Sequence, residues 1–459
     1  MAAPKDSGYI QTSDPSRPRS DAAVPFREII PPPSHPKVAG IQDCDALSWT
    51  DSRRKIPAPA WLITRLEAQN LEKPYVGFTT DGVVRDAVWD GAYSDDEGAP
   101  VEAATEAANA LLGQLSDEEK SRTVYASVED DTIRLWSNPE LYVNPGGLRL
   151  DEVSSGVRDA VHALLRASLS PAGYDKVLGC CLTNGFLGHL VNGRKVLNED
   201  SYNFRFFGGG RDGRASTAPA EPWGFTFFGH HLCLCVVFSG PRMVIGPSFM
   251  GAEPDRIDEG PHAGLRLFHT EEMESLKLMQ SLGPAEQARA RLSEGMGQES
   301  LGPKRWNPFD ERHLGGARQD NRVLPFEGIP YAALPPAQQD QLIALYRAFN
   351  EYYPTPVLER RVAIFKQHLD ETYFAWIGPH GDDDPYYFRI HSPVAFCEFD
   401  FHCGIFLTNS SPARCHIHTI NRLPNRGDYG RALVEQVLGK KEKGAAVNGA
   451  NANGAAAAL

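Results

Sequence analysis

Cysteine is scarce in this chain, eight in 459 residues, and no two of them form a Cys-x-x-Cys pair. So low a density excludes a disulfide framework, and the missing pair weakens zinc-ribbon and thioredoxin-like readings. Buried reduced thiols are the expectation. Long apolar runs are missing too: nothing approaches the roughly 20 residues of a membrane span. The first residues carry Asp6, Asp14 and Asp21 among Ser and Pro and lack a charged-then-apolar leader. The expected location is therefore cytoplasmic, with no membrane partner. Positive charge is in deficit, with 46 Lys and Arg against 59 Asp and Glu and a net charge of -13. General nucleic-acid binders need the opposite field, so no nucleic-acid partner is expected.

Motifs that would name a reaction are absent as well. There is no His-Glu-x-x-His and no Gly-x-Ser-x-Gly, and Gly208-Gly209-Gly210 lacks the Gly-Lys-Ser/Thr of a phosphate loop. With Arg211, Asp212 and Gly213 this run matches Gly-x-Gly-x-x-Gly in form, but no helical pattern follows to receive a pyrophosphate. It reads as a plain Gly-rich loop.

What is present is a globular body. Hydrophobic residues make up 41% and charged residues 23%, the balance of a chain that buries a large core. Residues 1–40, rich in Pro, Ser and Asp, read as a disordered arm or surface wrap, and 436–459 as a disordered Gly/Ala/Asn tail. Between them, 41–435 form the body, with a subdivision near 283–326, where a polar stretch suits an insertion or lid.

Within the body, Ser116 and Glu119 fit a capping box. Val153, Val157, Val161, Leu164 and Leu165 keep a helical stripe, as do Leu342, Leu345, Tyr346 and Phe349. Helices are also predicted over 271–282 and 285–292. The stretch 225–238 is aromatic and β-branched and reads as one strand, turning at Ser239-Gly240-Pro241 into a second over 242–245. Further strands are predicted over 372–377, 386–391, 394–402 and 414–420. The fold class expected is α+β, a mostly antiparallel sheet flanked by helices, divisible into two subdomains.

The chemistry-bearing residues concentrate on those strands. Glu398, Asp400 and His402 alternate along one, and His416 and His418 along the next; side chains two apart share a face. If the strands pair, two carboxylates and three imidazoles meet, a set suited to iron, copper, zinc or manganese. The plain alternative is a half-exposed sheet with solvated carboxylates. His230 and His231, adjacent on the predicted strand 225–238, face opposite ways, so one of the two can join the site. Glu253, in a Gly- and Pro-rich loop after a strand, is a candidate acid or base, and Arg266 and Arg422 are candidate anchors for an anionic group. For each of these a buried histidine or a structural salt bridge is the competing account.

Together the segments Trp223-Gly224, Gly229-His230-His231-Leu232 and Pro247 with Phe249-Met250-Gly251-Ala252-Glu253-Pro254 resemble the family numbered 3500 among domains of unknown function. Leu169-Ser170 to Gly173-Tyr174, Tyr202-Asn203-Phe204 with Phe206-Phe207-Gly208, and His416-Ile417-His418-Thr419 through Asp428-Tyr429-Gly430 echo the same pattern. The resemblance spans about 100 to 435, with Phe225 where other members carry a second Trp. It implies a coherent fold and points to the Gly-His-His and His-x-His segments as parts of one site, without implying a reaction.

The function expected is a metal-dependent oxidoreductase acting on a small organic molecule, compatible with an accessory role in a small-molecule biosynthetic pathway. His230 or His231, His416 and His418 would hold a divalent metal ion, with Glu398, Asp400 or His402 completing the shell. A metal-free hydrolase or lyase using a His/Glu253 pair, and a non-catalytic ligand-binding protein, are the alternatives. Neither the substrate nor the oligomeric state can be read from the sequence.

Overall fold

In the computed structural model, which describes residues 25–67, 73–143, 146–208 and 213–439, the strand-forming stretches join one twelve-stranded sheet. Short strands β1 (Val124–Tyr125) and β2 (Leu148–Arg149) flank β3 (Tyr202–Phe207). Three longer strands follow through tight connections: β4 (Trp223–Gly229), β5 (Leu232–Ser239) and β6 (Arg242–Ala252). After the short β7 (Arg291–Ser293) and β8 (Ile329–Pro330), the C-terminal third supplies β9 (Tyr373–Ile377), β10 (Tyr387–His391), β11 (Phe396–Phe401) and β12 (Ile417–Arg422). The spatial order is β1-β3-β4-β5-β6-β12-β11-β10-β9-β7, with β2 on β3 and β8 on β9. Only β1 with β3 and β7 with β9 pair in parallel. The fold is α+β with a mostly antiparallel sheet, as the alternation predicts.

The last strand in sequence sits in the middle of the sheet. β12 lies between β6 and β11, so His418 is opposite Gly251 on one side and Asp400 on the other. That placement joins the central and C-terminal strand sets without a break. Residues 283–326 add β7 at the far edge, and their Leu314 and Gly315 meet Glu398 on the sheet.

Both faces of this sheet are covered. Cys397, Phe399 and Phe401 pack into a core with the helices Ser155–Ser168, Pro171–Leu190, Pro336–Phe349 and Thr355–Lys366. Ser154 caps the first of these through the Val157 N–H and Ser170 the second through the Gly173 N–H. The stripe Val157, Val161, Leu164 and Leu165 is buried, and each such side chain contributes roughly 1.5–3 kcal/mol on leaving water. On the other face Phe249, Ile420, Cys233 and Cys235 meet Trp49, Trp136 and Tyr429. Glu398 and Asp400 project on that second face and are fully buried, so the half-exposed sheet with solvated carboxylates does not describe this protein.

Residues 25–40, expected in an arm that is disordered or wraps the surface, are held on the body. Phe26 and Ile29 are buried, and Lys37 Nζ donates to the carbonyls of Gly404 and Leu407 at 2.5 and 2.7 Å. The helix Arg431–Leu438 carries the fold past the expected boundary at 436. Residues 1–24 of the arm, 440–459 of the tail and 209–212 of the Gly-rich loop lie outside the described residues. All eight cysteines are free, most of them buried. Among the described residues no helix is long and apolar enough to cross a membrane.

One carboxyl in this scaffold predicts a pH effect. Burial pushes Glu351, just after the helix Pro336–Phe349, up to about 7. A carboxyl raised in the folded state costs no stability below its unfolded value near 4.5, and the cost is complete above pH 7. Glu351→Gln is therefore expected to stabilise the protein at pH 8 by about 1 kcal/mol, after discounting for solvent screening, and by almost nothing at pH 4. Urea unfolding at the two pH values checks this; an equal shift at both would refute it.

Candidate metal centre

The turn between β4 and β5 consists of His230 and His231 alone. The expectation of one continuous strand through these residues is thereby corrected: His231 takes a left-handed backbone, φ 59°, and the chain reverses there. Its N–H donates to the Asn138 carbonyl at 2.9 Å, and its carbonyl accepts from the Gly251 N–H at 2.8 Å. Freed from strand alternation, the two imidazoles stack with centroids 3.9 Å apart rather than facing opposite ways. His230 Nδ1 meets Asn184 Oδ1 at 2.8 Å, while His231 turns its Nε2 toward β12.

There it meets the His-x-His pair. Nε2 of His231 lies 3.1 Å from Nε2 of His416, which lies 3.0 Å from Nε2 of His418. All three histidines are buried. Gly251 lies beneath them for a steric reason. A Cβ at that position would come within 2.6 Å of the Ile417 carbonyl oxygen and within 3.1 Å of both the His231 and His418 rings.

Hydrogen-bond chemistry alone accounts poorly for this cluster. His416 Nδ1 lies 2.7 Å from the Cys403 carbonyl oxygen. A carbonyl only accepts, so Nδ1 carries the proton and Nε2 presents a single lone pair. That lone pair faces two other Nε2 atoms and cannot accept well from both. Two metal–nitrogen bonds of about 2.0–2.1 Å, opened by roughly 90–109°, hold their nitrogens about 2.8–3.4 Å apart. The observed spacings fall in that range. Burial, reinforced by the neighbouring imidazoles, holds His231, His416 and His418 well below the ordinary histidine range. They are neutral, the form that binds metals.

Further groups orient this set. His418 Nδ1 lies 3.3 Å from Nε2 of His313, whose ring burial pushes down to about 3. His402 is adjacent, its ring 4.5 Å from that of His418, but its Nδ1 and Nε2 face the carbonyl oxygens of Cys403 and Phe309 at 3.1 and 3.0 Å. Glu253 accepts from the backbone N–H groups of Ile405, Phe406 and Leu407. Burial nonetheless raises it to about 7, and one of its oxygens stands 3.8 Å from His416 Nδ1. Contacts of this kind fix the ring orientation and tautomer of metal-binding histidines.

The remaining sequence candidates are engaged elsewhere. Glu398 accepts from the Leu314 and Gly315 N–H groups and the Tyr387 hydroxyl. Asp400 takes a bidentate pair from Arg312 at 2.7 and 3.0 Å. Arg422 bridges Asp320 and Asp428, each at 2.6 Å, and Arg266 pairs with Glu272 at 3.0 Å. Sequence reasoning passed over His313, Arg312 and Asn184. His313 and Arg312 sit in a polar stretch with no periodicity, and Asn184 is one of several polar residues in its helix with nothing in the sequence to single it out.

Fold and site together define an α+β protein in which the β4–β5 turn and the start of the central strand β12 bring three buried imidazoles together. The chain belongs to the family described as a protein of unknown function, DUF3500, whose model matches residues 97–431. No curated protein and no solved structure matches it. His230, His231, His313, His402, His416 and His418 all lie inside the matched span.

Proposed function

We propose that this protein is a metal-dependent enzyme, an oxidoreductase acting on a small organic molecule, with the ion held by Nε2 of His231, His416 and His418. The observation that carries the reading is the convergence of these three nitrogens at 3.0 and 3.1 Å, with the far side of His416 tied to the Cys403 carbonyl. Three histidines leave coordination positions open, the arrangement of a catalytic rather than a structural site. An all-imidazole set suits copper, iron or zinc, and manganese less well. The ion, when bound, would supply Lewis acidity or electron transfer to a substrate oxygen or nitrogen. The protein's own part is to keep three neutral imidazole nitrogens within 4.8 Å of one another in a buried setting. The alternative His/Glu253 pair draws little support, since backbone N–H groups occupy both Glu253 oxygens and His416 Nδ1 is turned to a carbonyl.

Elemental analysis of protein purified without a histidine tag tests this. About one equivalent of a transition metal per chain is expected, and removing it with a chelator should abolish turnover. Protein that neither carries nor takes up a transition metal when one is supplied would overturn the reading.

A further inference from the structure

Beside the histidine cluster opens a cleft of about 350 Å³, within the size range of small-molecule sites. Its lining reverses the charge of the protein. Arg65, Lys304, Arg305 and Arg322 contribute to it, and among the described residues no Asp or Glu does, although the chain as a whole carries a net charge of -13. Two of these cations are compensated, Arg65 by Asp310 at 2.8 Å and Arg305 by Glu327. The other two have no carboxylate within ion-pair distance among the described residues: Arg322 donates to the Leu314 carbonyl at 3.2 Å and feels Asp310 and Glu398 at longer range, and Lys304 is exposed.

Other wall groups also lack acceptors. The indole N–H of Trp306 and Nδ1 of His313 are buried without a hydrogen-bond partner. Asn307 Oδ1 already accepts from the Phe309 and Asp310 N–H groups, while Asn307 Nδ2 and Gln319 Nε2 donate to Asp310. A second pocket of about 200 Å³ shares Gln319 and Arg322 with the cleft and adds Lys73, Arg134, Arg318, Asn321 and Asp320, the last already paired with Arg134 and Arg422. There Nε and Nη2 of Arg318 are again buried and unpartnered. Unpartnered donors and an excess of positive charge favour an oxyanion, which guanidinium groups grip through paired N–H bonds.

Two indoles add a shape requirement. Trp61, stacked on Phe309 with centroids 5.6 Å apart, remains 47% exposed at the cleft, and Trp306 stands in the same lining. Flat aromatic faces of this kind select a planar body. The cleft also touches the histidine cluster: His313 is part of its wall, and the other nitrogen of that ring contacts His418 at 3.3 Å.

We infer that this cleft is a binding site for a planar organic oxyanion, an aromatic carboxylate in the simplest case, delivered to the His313 side of the histidine centre. The assignment deepens the proposed enzyme reading by naming the substrate class, and it rests on that reading only for the word substrate. Arg322 and Lys304 hold the anionic group, Trp61 and Trp306 flank the ring, and His313 links the cleft wall to the histidine centre through His418.

The test is a titration of the full chain with benzoate, benzyl alcohol and inorganic phosphate, read by tryptophan fluorescence and calorimetry. Benzoate is expected to bind at least about 10-fold more tightly than benzyl alcohol, and to weaken about 10-fold in Arg322→Met. Lys304→Gln, a change at an exposed position, should weaken it about 3-fold and covers the case in which Arg322→Met fails to fold. Benzyl alcohol or phosphate binding as tightly as benzoate, or affinity unchanged in Lys304→Gln, would overturn the assignment. Chelator-treated protein is titrated in parallel, since the cleft cations hold no metal. Benzoate binding that survives there stands even if elemental analysis finds no metal, and a metal-loaded protein that ignores benzoate refutes the cleft assignment alone.

Discussion

His416→Ala is expected to empty the metal centre, lowering the affinity for the ion by at least about 100-fold. Removing a group that only orients a ligand already costs 10–100-fold, and His416 is the shared member of both close contacts. Nε2 of His231 and Nε2 of His418 then lose their common neighbour, and two imidazoles hold a divalent ion far less tightly than three. The same change takes from the Cys403 carbonyl the shorter of its two imidazole contacts, leaving His402 Nδ1, and opens a small cavity, so about 1–3 kcal/mol of stability should go as well. A control must separate these effects. His391 is also a buried imidazole, packed against Phe326 and Phe396 away from the cluster. His391→Phe should keep its metal whatever it does to stability. Metal content of both variants, measured beside their urea midpoints, decides the matter. Equal metal loss in the two, or full metal content in His416→Ala, would show that the three nitrogens do not form the site.

Why some of this site is legible in the sequence and some is not follows from the range of the interactions. Alternation is local, so the His416-x-His418 pair and the strand bearing Glu398 and Asp400 can be read directly, and β11 does pair with β12. The β4–β5 turn carries no Asn-Gly or Gly-x signal, only two histidines between apolar strands, so it reads as one unbroken strand. Its reversal depends on His231 adopting a left-handed backbone, held by Asn138 and Gly251 from distant segments. The carboxylates mislead for a related reason. Glu398 and Asp400 look like ligands because nothing nearby in sequence pairs with them. Apart from the Tyr387 hydroxyl on the neighbouring strand, their partners, Arg312 and the Leu314 and Gly315 N–H groups, arrive from more than eighty residues away. That same segment delivers His313 beside His418. A polar stretch without period gives no hint of which of its residues will be buried, and burial is what turns His313 and Arg312 into parts of the site.

Arg422→Met is expected to be the most damaging single change to the fold, at about 3–5 kcal/mol, because it breaks a buried charge network and leaves its acids behind. Arg422 is fully buried on β12; its Nε and Nη2 donate to Asp428 and Asp320 at 2.6 Å each, and Nη1 donates to the Gly315 carbonyl at 2.8 Å. Methionine replaces most of the volume and none of these bonds. Asp320 keeps Arg134 and the Tyr429 hydroxyl, whereas Asp428 keeps only the Leu423 N–H. Asp428 is the sensitive member. Burial already raises it to about 6 with Arg422 lowering it, so without the guanidinium it rises further. A carboxyl raised in the folded state costs stability as pH climbs from its unfolded value near 3.9 through its folded value. The deficit of Arg422→Met should therefore be greater at pH 8 than at pH 5. Adding Asp428→Asn should recover part of it at pH 8 and little at pH 5, since the amide removes the stranded charge. Urea unfolding of the two variants at both pH values gives the answer. A deficit under about 1 kcal/mol, or one that shrinks as pH rises, would mean that Arg422 is not what neutralises this face of the sheet.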